Sequence, residues 1–186
     1  MASWSIWLFG GLLGQNLEAP LVNSRIDRVL SVVEESIVTE FDIRLEEVFQ
    51  RHDPIACLPL APPQDNLLQL TEDRRVLNRL AGNRSLYIPT QGEVSARRDA
   101  LKESMGEELF KSFLLSYGLS NEDLLQILTR RITAEQYTER NLGRALRTEA
   151  PQDEQAWDSF YRRRFQIWMN ERRQGIRIRK TAPGSP

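Results

Sequence analysis

The sequence predicts a mainly α fold of six helices carrying a small antiparallel sheet made of an N-terminal hairpin and a C-terminal strand. Three observations predict it. After Thr39, apolar residues recur at spacings of three and four along most of the chain, the repeat of amphipathic helices. Arg28 to Val33 is instead rich in β-branched residues, breaks at Glu34-Glu35-Ser36 and resumes at Ile37-Val38, which reads as two strands joined by a turn. Near the other end, Ile176-Arg177-Ile178-Arg179 alternates apolar and charged as a strand does. A two-stranded hairpin is marginal alone in water, so this late strand is expected to complete its sheet.

Each helix carries its own start and stop signals. Thr39 caps the first, with Asp42 three residues on as in a capping box, and Phe41, Leu45, Val48 and Phe49 fall at helical spacing. His52 to Asn66 holds Pro54, Pro59, Pro62 and Pro63 and is expected to be a loop, laid against the body through Ile55, Leu58 and Leu60. A second helix is expected over about Leu67 to Ala81, with Leu70, Val76, Leu77 and Leu80 inward and an end near Gly82. Thr90 and Glu93 form a capping box for a third helix through Met105, whose exposed face is expected to hold Arg97, Arg98, Asp99, Lys102 and Glu103.

After Gly106, Phe110, Phe113, Leu114 and Tyr117 mark a fourth helix over about Glu107 to Tyr117, stopped by Gly118. Ser120, with Glu122 and Asp123 in the first turn, opens a fifth that keeps Leu124, Ile127, Leu128 and Ile132 on the core and is expected to continue to about Leu146. Ala150-Pro151 breaks the pattern. Asp153 or Glu154 opens a sixth helix, with Trp157, Phe160, Tyr161, Phe165 and Trp168, and Gly175 ends it.

The chain has 186 residues and a formal net charge of −1, enough for one good core and by default one domain. Up to Leu70 there are 4 basic and 10 acidic residues, and beyond it 21 and 16, so the front is acidic and the rear basic. The single cysteine, Cys57, excludes an internal disulfide, and the single histidine, His52, excludes a multi-histidine metal site. Ile6 to Leu13 is too short to span a bilayer but has the length of a signal-peptide core. Residues 1–19 are read as a candidate signal peptide or, alternatively, as an apolar N-terminal helix packed on the domain. Residues 20–180 form the core domain, with 153–180 packing back on it, and 181–186 are expected to be a disordered tail.

No phosphate-binding glycine loop, zinc-ligand spacing or nucleophile elbow is present in the sequence, and no cofactor or metal is expected. Glu34-Glu35 and Glu46-Glu47 are adjacent carboxylates whose side chains point apart on a strand or helix, a poor arrangement for paired acid and base work. Arg162-Arg163-Arg164, with Arg172, Arg173, Arg177 and Arg179, clusters cations among aromatics. Asp153, Glu154, Asp158 and Glu171 flank that cluster, which favours a solvated helix face over nucleic-acid binding. Large apolar side chains exceed what a tight core needs, and the surplus on the fourth and sixth helices would suit a groove for extended apolar peptides.

Three blocks of sequence carry a resemblance. The first is IDRVLSVVEESIVTEFDI, Ile26 to Ile43, an apolar strand, an acidic turn and a helix start. The second runs from Val76 through GEVSARRDALKE and FKSFLLSYGLSNEDLLQILTRRITAEQY, with Phe110, Leu114, Gly118, Leu119, Ser120, Glu122, Asp123 and Leu124 in an F-x-x-x-L-x-x-x-G-L-S-x-E-D-L pattern. The third is RRFQIWMNERRQGIRIRK, the terminal helix and strand. In these blocks the chain resembles the chaperone core of periplasmic SurA-type proteins, which belong with the parvulin-like peptidyl-prolyl isomerases. The likeness covers most of Arg25 to Lys180. Where that family carries one or two isomerase domains, this chain has only Thr148 to Asp153. The terminal helix is about one turn shorter than in the family, and the proline-rich loop at His52 to Asn66 is a further departure.

The resemblance implies a six-helix SurA-like core without an isomerase domain, and therefore a non-enzymatic chaperone or peptide-binding protein of the periplasm or cell envelope. Its expected partners are unfolded or extended, aromatic-rich segments of envelope or outer-membrane proteins, with neither nucleic acid nor stable membrane insertion after processing. Phe110, Phe113, Tyr117, Trp157, Tyr161 and Trp168 are the expected peptide-binding residues. The alternative use of the same fold is as an adaptor or structural subunit bound to one folded partner.

Overall fold

The hairpin forms where the β-branched residues place it. In the computed structural model, which describes residues 27–54, 66–143, 146, 149 and 154–181, strands β1 (Val29–Val33) and β2 (Ser36–Thr39) pair antiparallel, with Val33 opposite Ser36. The register shifts between Val29 and Ser31, a local irregularity in β1. Glu34 makes the turn at φ 53°, a conformation costly for a side chain with a Cβ. Strand β3 (Ile178–Lys180) pairs antiparallel with the other edge of β1, Val33 opposite Ile178, giving the order β2-β1-β3. The expected third strand is therefore present, two residues later than the alternation placed it. The Glu34 carboxylate accepts the Arg177 amide at 2.8 Å, so the turn that joins β1 and β2 also holds the entry to β3.

Six α-helices occur among the described residues: α1 (Glu40–His52), α2 (Leu67–Ala81), α3 (Gln91–Met105), α4 (Glu107–Ser116), α5 (Asn121–Thr138) and α6 (Glu154–Arg173). The protein is thus mainly helical with one small three-stranded antiparallel sheet. Thr39–Asp42, Thr90–Glu93 and Ser120–Asp123 form reciprocal capping boxes, each satisfying two backbone donors that a helix start otherwise leaves open. Gly82 ends α2 at φ 56°, where glycine avoids the Cβ clash of a left-handed residue. The fifth helix ends at Thr138 and widens into a π-helical turn over Glu139–Gly143, rather than running on as one regular helix.

Two apolar clusters make the core. One joins the sheet to α2, the end of α5 and α6, through Val33, Val38, Leu77, Tyr137, Phe165 and Trp168. The other joins α1, α3, α4 and the start of α5, through Phe49, Leu101, Phe110, Phe113, Leu124 and Leu128. The helix α5 serves both: Ile132 belongs to the second cluster and Ala134 to the first.

Thr181, expected at the start of a loose tail, is tied to β1 instead, its amide to Leu30 O at 3.0 Å and its hydroxyl to Val29 O at 2.6 Å. Residues 1–19, the proline-rich stretch 55–65 with Cys57, and the tail from Ala182 lie outside the described residues.

Candidate functional site

Where the two apolar clusters meet along α5, six charged side chains are buried. They are Glu46 of α1, Asp53 just after it, Arg74 of α2, Arg97 of α3, and Arg131 and Glu135 of α5, all under a tenth exposed. Arg97 lies 2.6 Å from Asp53 and 3.1 Å from Glu135. Arg131 and Arg74 reach Glu46 at 2.5 and 3.4 Å, and Arg74 reaches Glu135 at 3.5 Å. Three cations thus face three carboxylates, the balance that a low-dielectric interior demands. Burial opposes the charge on Glu46, but Arg74 and Arg131 outweigh it and hold the carboxyl below its ordinary range. The Arg131 guanidinium also lies over the Phe49 ring at 4.2 Å. Arg97, expected on the exposed face of α3, is buried because Asp53 and Glu135 converge on it from other elements.

On the outer side of this layer a cleft of about 130 Å³ opens between α1, α2 and α5. Phe41, Leu45, Phe49 and Ile127 give it apolar walls. Arg74, Arg75, Arg130 and Arg131 line it together with Asp42 and Glu46. Arg75 holds Asp42 at 2.8 Å. Arg130 stands at the exposed lip and pairs with no carboxylate among the described residues. Partial burial and then the like charge of Arg75 hold Arg130 below its ordinary pKa, while Asp42 acts in the opposite sense. Glu46 Oε1 and Arg75 Nε, buried polar atoms on these lining residues, have no hydrogen-bond partner, and Arg131 Nε has none either, its nearest carboxylate oxygen being Asp53 Oδ2 at 4.0 Å. The arrangement can bind an anionic group beside an apolar one.

The six aromatic residues singled out in the sequence do not share one groove. Phe110 and Phe113 are buried in the α1–α3–α4–α5 cluster, with Phe113 edge-on to Phe49 at 6.3 Å. Tyr161 and Trp168 are buried in the other cluster, and Trp157 packs at its margin, stacked on Tyr161 at 5.3 Å. Tyr117 is half-buried and touches Phe41 edge-on at 5.7 Å. Of the six, therefore, Tyr117 adjoins a wall of the cleft, while four others fill core positions. A helical stripe marks one buried face equally well whether it meets a core or a ligand.

The cleft's charged residues were missed by pattern reasoning, yet two signals mark them. Arg74-Arg75 and Arg130-Arg131 are arginine doublets on α2 and α5, two of the three helices that flank the cleft, and Thr71-Glu72-Asp73-Arg74 is a polar run buried in the middle of α2. The cationic cluster of α6 is largely engaged within the chain. Arg162 holds Asp158 at 3.1 Å, Arg164 pairs with Glu149, Arg173 holds Asp73 at 2.7 Å, and Arg172 lies over Trp168.

Among the described residues, no group of three or more His, Cys, Asp or Glu side chains is placed to hold a metal ion, and no helix is long and apolar enough to cross a membrane. The chain matches no protein-family model, no curated protein and no solved structure.

Proposed function

We propose that this chain is a non-catalytic, SurA-like polypeptide-holding protein that shields unfolded, aromatic-rich segments of envelope or outer-membrane proteins, exported to the periplasm or cell envelope. The observation that carries this reading is the surface cleft with apolar walls, extended at one side by the Phe41–Tyr117 pair. A segment laid there would bury apolar side chains at about 25 cal/mol per Å² of surface removed from water. Binding of this kind is non-directional and tolerant of sequence, as a holder of many clients requires. No bond is made or broken.

The chain's closure also supports the reading. Strand β3 returns to β1 although only residues 148–153 stand where the SurA-type proteins carry their isomerase domains. The sheet joins residues 29–39 to residues 178–180 across the stretch where that likeness would place those domains. Light scattering tests the function: the full chain at equimolar ratio is expected to suppress aggregation of an unfolded outer-membrane protein diluted from denaturant. Unchanged aggregation, together with no binding of aromatic-rich peptides, overturns it.

A further inference from the structure

We infer that the cleft between α1, α2 and α5 receives the C-terminal residue of a polypeptide, its free carboxylate at Arg75 and Arg130 and its side chain against Phe41, Leu45 and Ile127, an assignment resting on the polypeptide-holding reading above.

Charge accounting decides the class of ligand. Arg74, Arg97 and Arg131 are balanced by Glu46, Asp53 and Glu135, and Arg75 faces Asp42. Arg130 is the one lining cation that no carboxylate of the described residues pairs. A single uncompensated positive charge matches a monoanion such as a carboxylate better than a phosphate dianion. Size agrees with a chain end: about 130 Å³ is well below the roughly 300–1,000 Å³ of sites that enclose whole small molecules. The apolar walls exclude a bare inorganic ion as the natural occupant, since such an ion would be desolvated against them without compensation.

Hydrogen bonding separates a peptide terminus from a simple organic acid. Arg75 Nε is a buried donor without an acceptor, and Glu46 Oε1 is a buried acceptor without a donor, on a side chain only 5% exposed. Leaving such groups unmatched is costly, so a ligand that satisfies them gains on binding. The last residue of a polypeptide supplies both complements, two carboxylate oxygens and, one residue's length away, an amide N–H. A fatty or aryl acid supplies the first and lacks the second.

The experiment is a titration of the full chain followed by NMR at the arginine Nε–Hε signals. The probes are an aromatic-ended pentapeptide with a free C-terminus, the same peptide amidated, N-acetylphenylalanine and 3-phenylpropionate. The free-acid peptide is expected to bind at least about tenfold more tightly than its amide, a preference that falls with added salt. Arg130→Gln is expected to erase that preference while leaving Tm unchanged, because Arg130 stands at the exposed lip and pairs with no carboxylate among the described residues; Arg130→Glu is expected to invert it. N-acetylphenylalanine should bind more tightly than 3-phenylpropionate. Equal affinity for acid and amide peptides overturns the inference while leaving the polypeptide-holding function intact. Tighter binding of 3-phenylpropionate overturns it in favour of small organic acids. Failure of both peptides, with aggregation unaffected, overturns both readings together.

Discussion

Arg97 of α3 donates from Nη2 to Glu135 Oε1 of α5 at 3.1 Å, with both side chains buried. Through Asp53, which Arg97 also holds, the contact ties the end of α1 to two helices distant in sequence. Replacing Arg97 by Ala leaves two carboxylates short of their cation in the interior. The expected loss is about 3–5 kcal/mol, read as a lower urea midpoint. The paired change Arg97→Met with Glu135→Leu should cost less than Arg97→Ala alone, because it removes charges of both signs.

Asp73 gives the fold a pH dependence of definite sign. Burial raises its pKa to about 6 from 3.8, Arg173 works against that rise, and Glu72 adds slightly to it. The folded state therefore holds this proton more firmly than the unfolded chain. Its contribution to stability is complete below about pH 4 and is lost as pH rises through about 6. The full span corresponds to about 3 kcal/mol. Urea unfolding of Asp73→Asn beside the unaltered chain at pH 4, 5, 6 and 7 checks it: the variant should gain relative stability across this window.

The C-terminal strand closes the sheet, and successive truncations should separate its parts. Ending the chain after Arg173 removes β3 and bares the edge of β1, with a large loss of thermal stability. Ending after Lys180 removes the two hydrogen bonds of Thr181 to β1, at about 1 kcal/mol each. Ending after Thr181 keeps those bonds and should leave the melting temperature near that of the full chain.

At the hairpin turn, Glu34 carries both a conformational cost, φ 53°, and a compensating bond to the Arg177 amide. Glu34→Ala keeps the cost and loses the bond, for an expected loss of about 1–2 kcal/mol. Glu34→Gly loses the bond but relieves the backbone, so its melting temperature should fall less than that of Glu34→Ala.

Local signals made much of this fold legible. Thr39, Thr90 and Ser120 each sit three residues before the acid that completes a capping box, and the three helices start at those places. The alternation after Gly175 disclosed a third strand because period two survives even in a three-residue element. Tertiary burial of charge was not legible. Arg97 lies between Ala96 and Arg98 in a polar stretch, and nothing local distinguishes it from its exposed neighbours. Its partners, Asp53 and Glu135, are set by how α1, α3 and α5 pack. The cleft was hidden for the same reason, since Asp42, Arg75 and Arg130 meet only once α1, α2 and α5 are assembled. The aromatic stripes carried the opposite difficulty: spacing identified buried faces correctly but gave no means of telling Phe113, held against Phe49, from Tyr117, which adjoins the cleft.

Photo-crosslinking tests the central claim most directly. An aromatic-rich peptide carrying benzoylphenylalanine at its C-terminal position is bound to the full chain, irradiated, and the adducts mapped by mass spectrometry. Attachment should concentrate on residues lining the α1–α2–α5 cleft and on Tyr117, and excess unlabelled peptide should suppress it. Adducts scattered over the surface and indifferent to the competitor would contradict the polypeptide-holding role of this cleft.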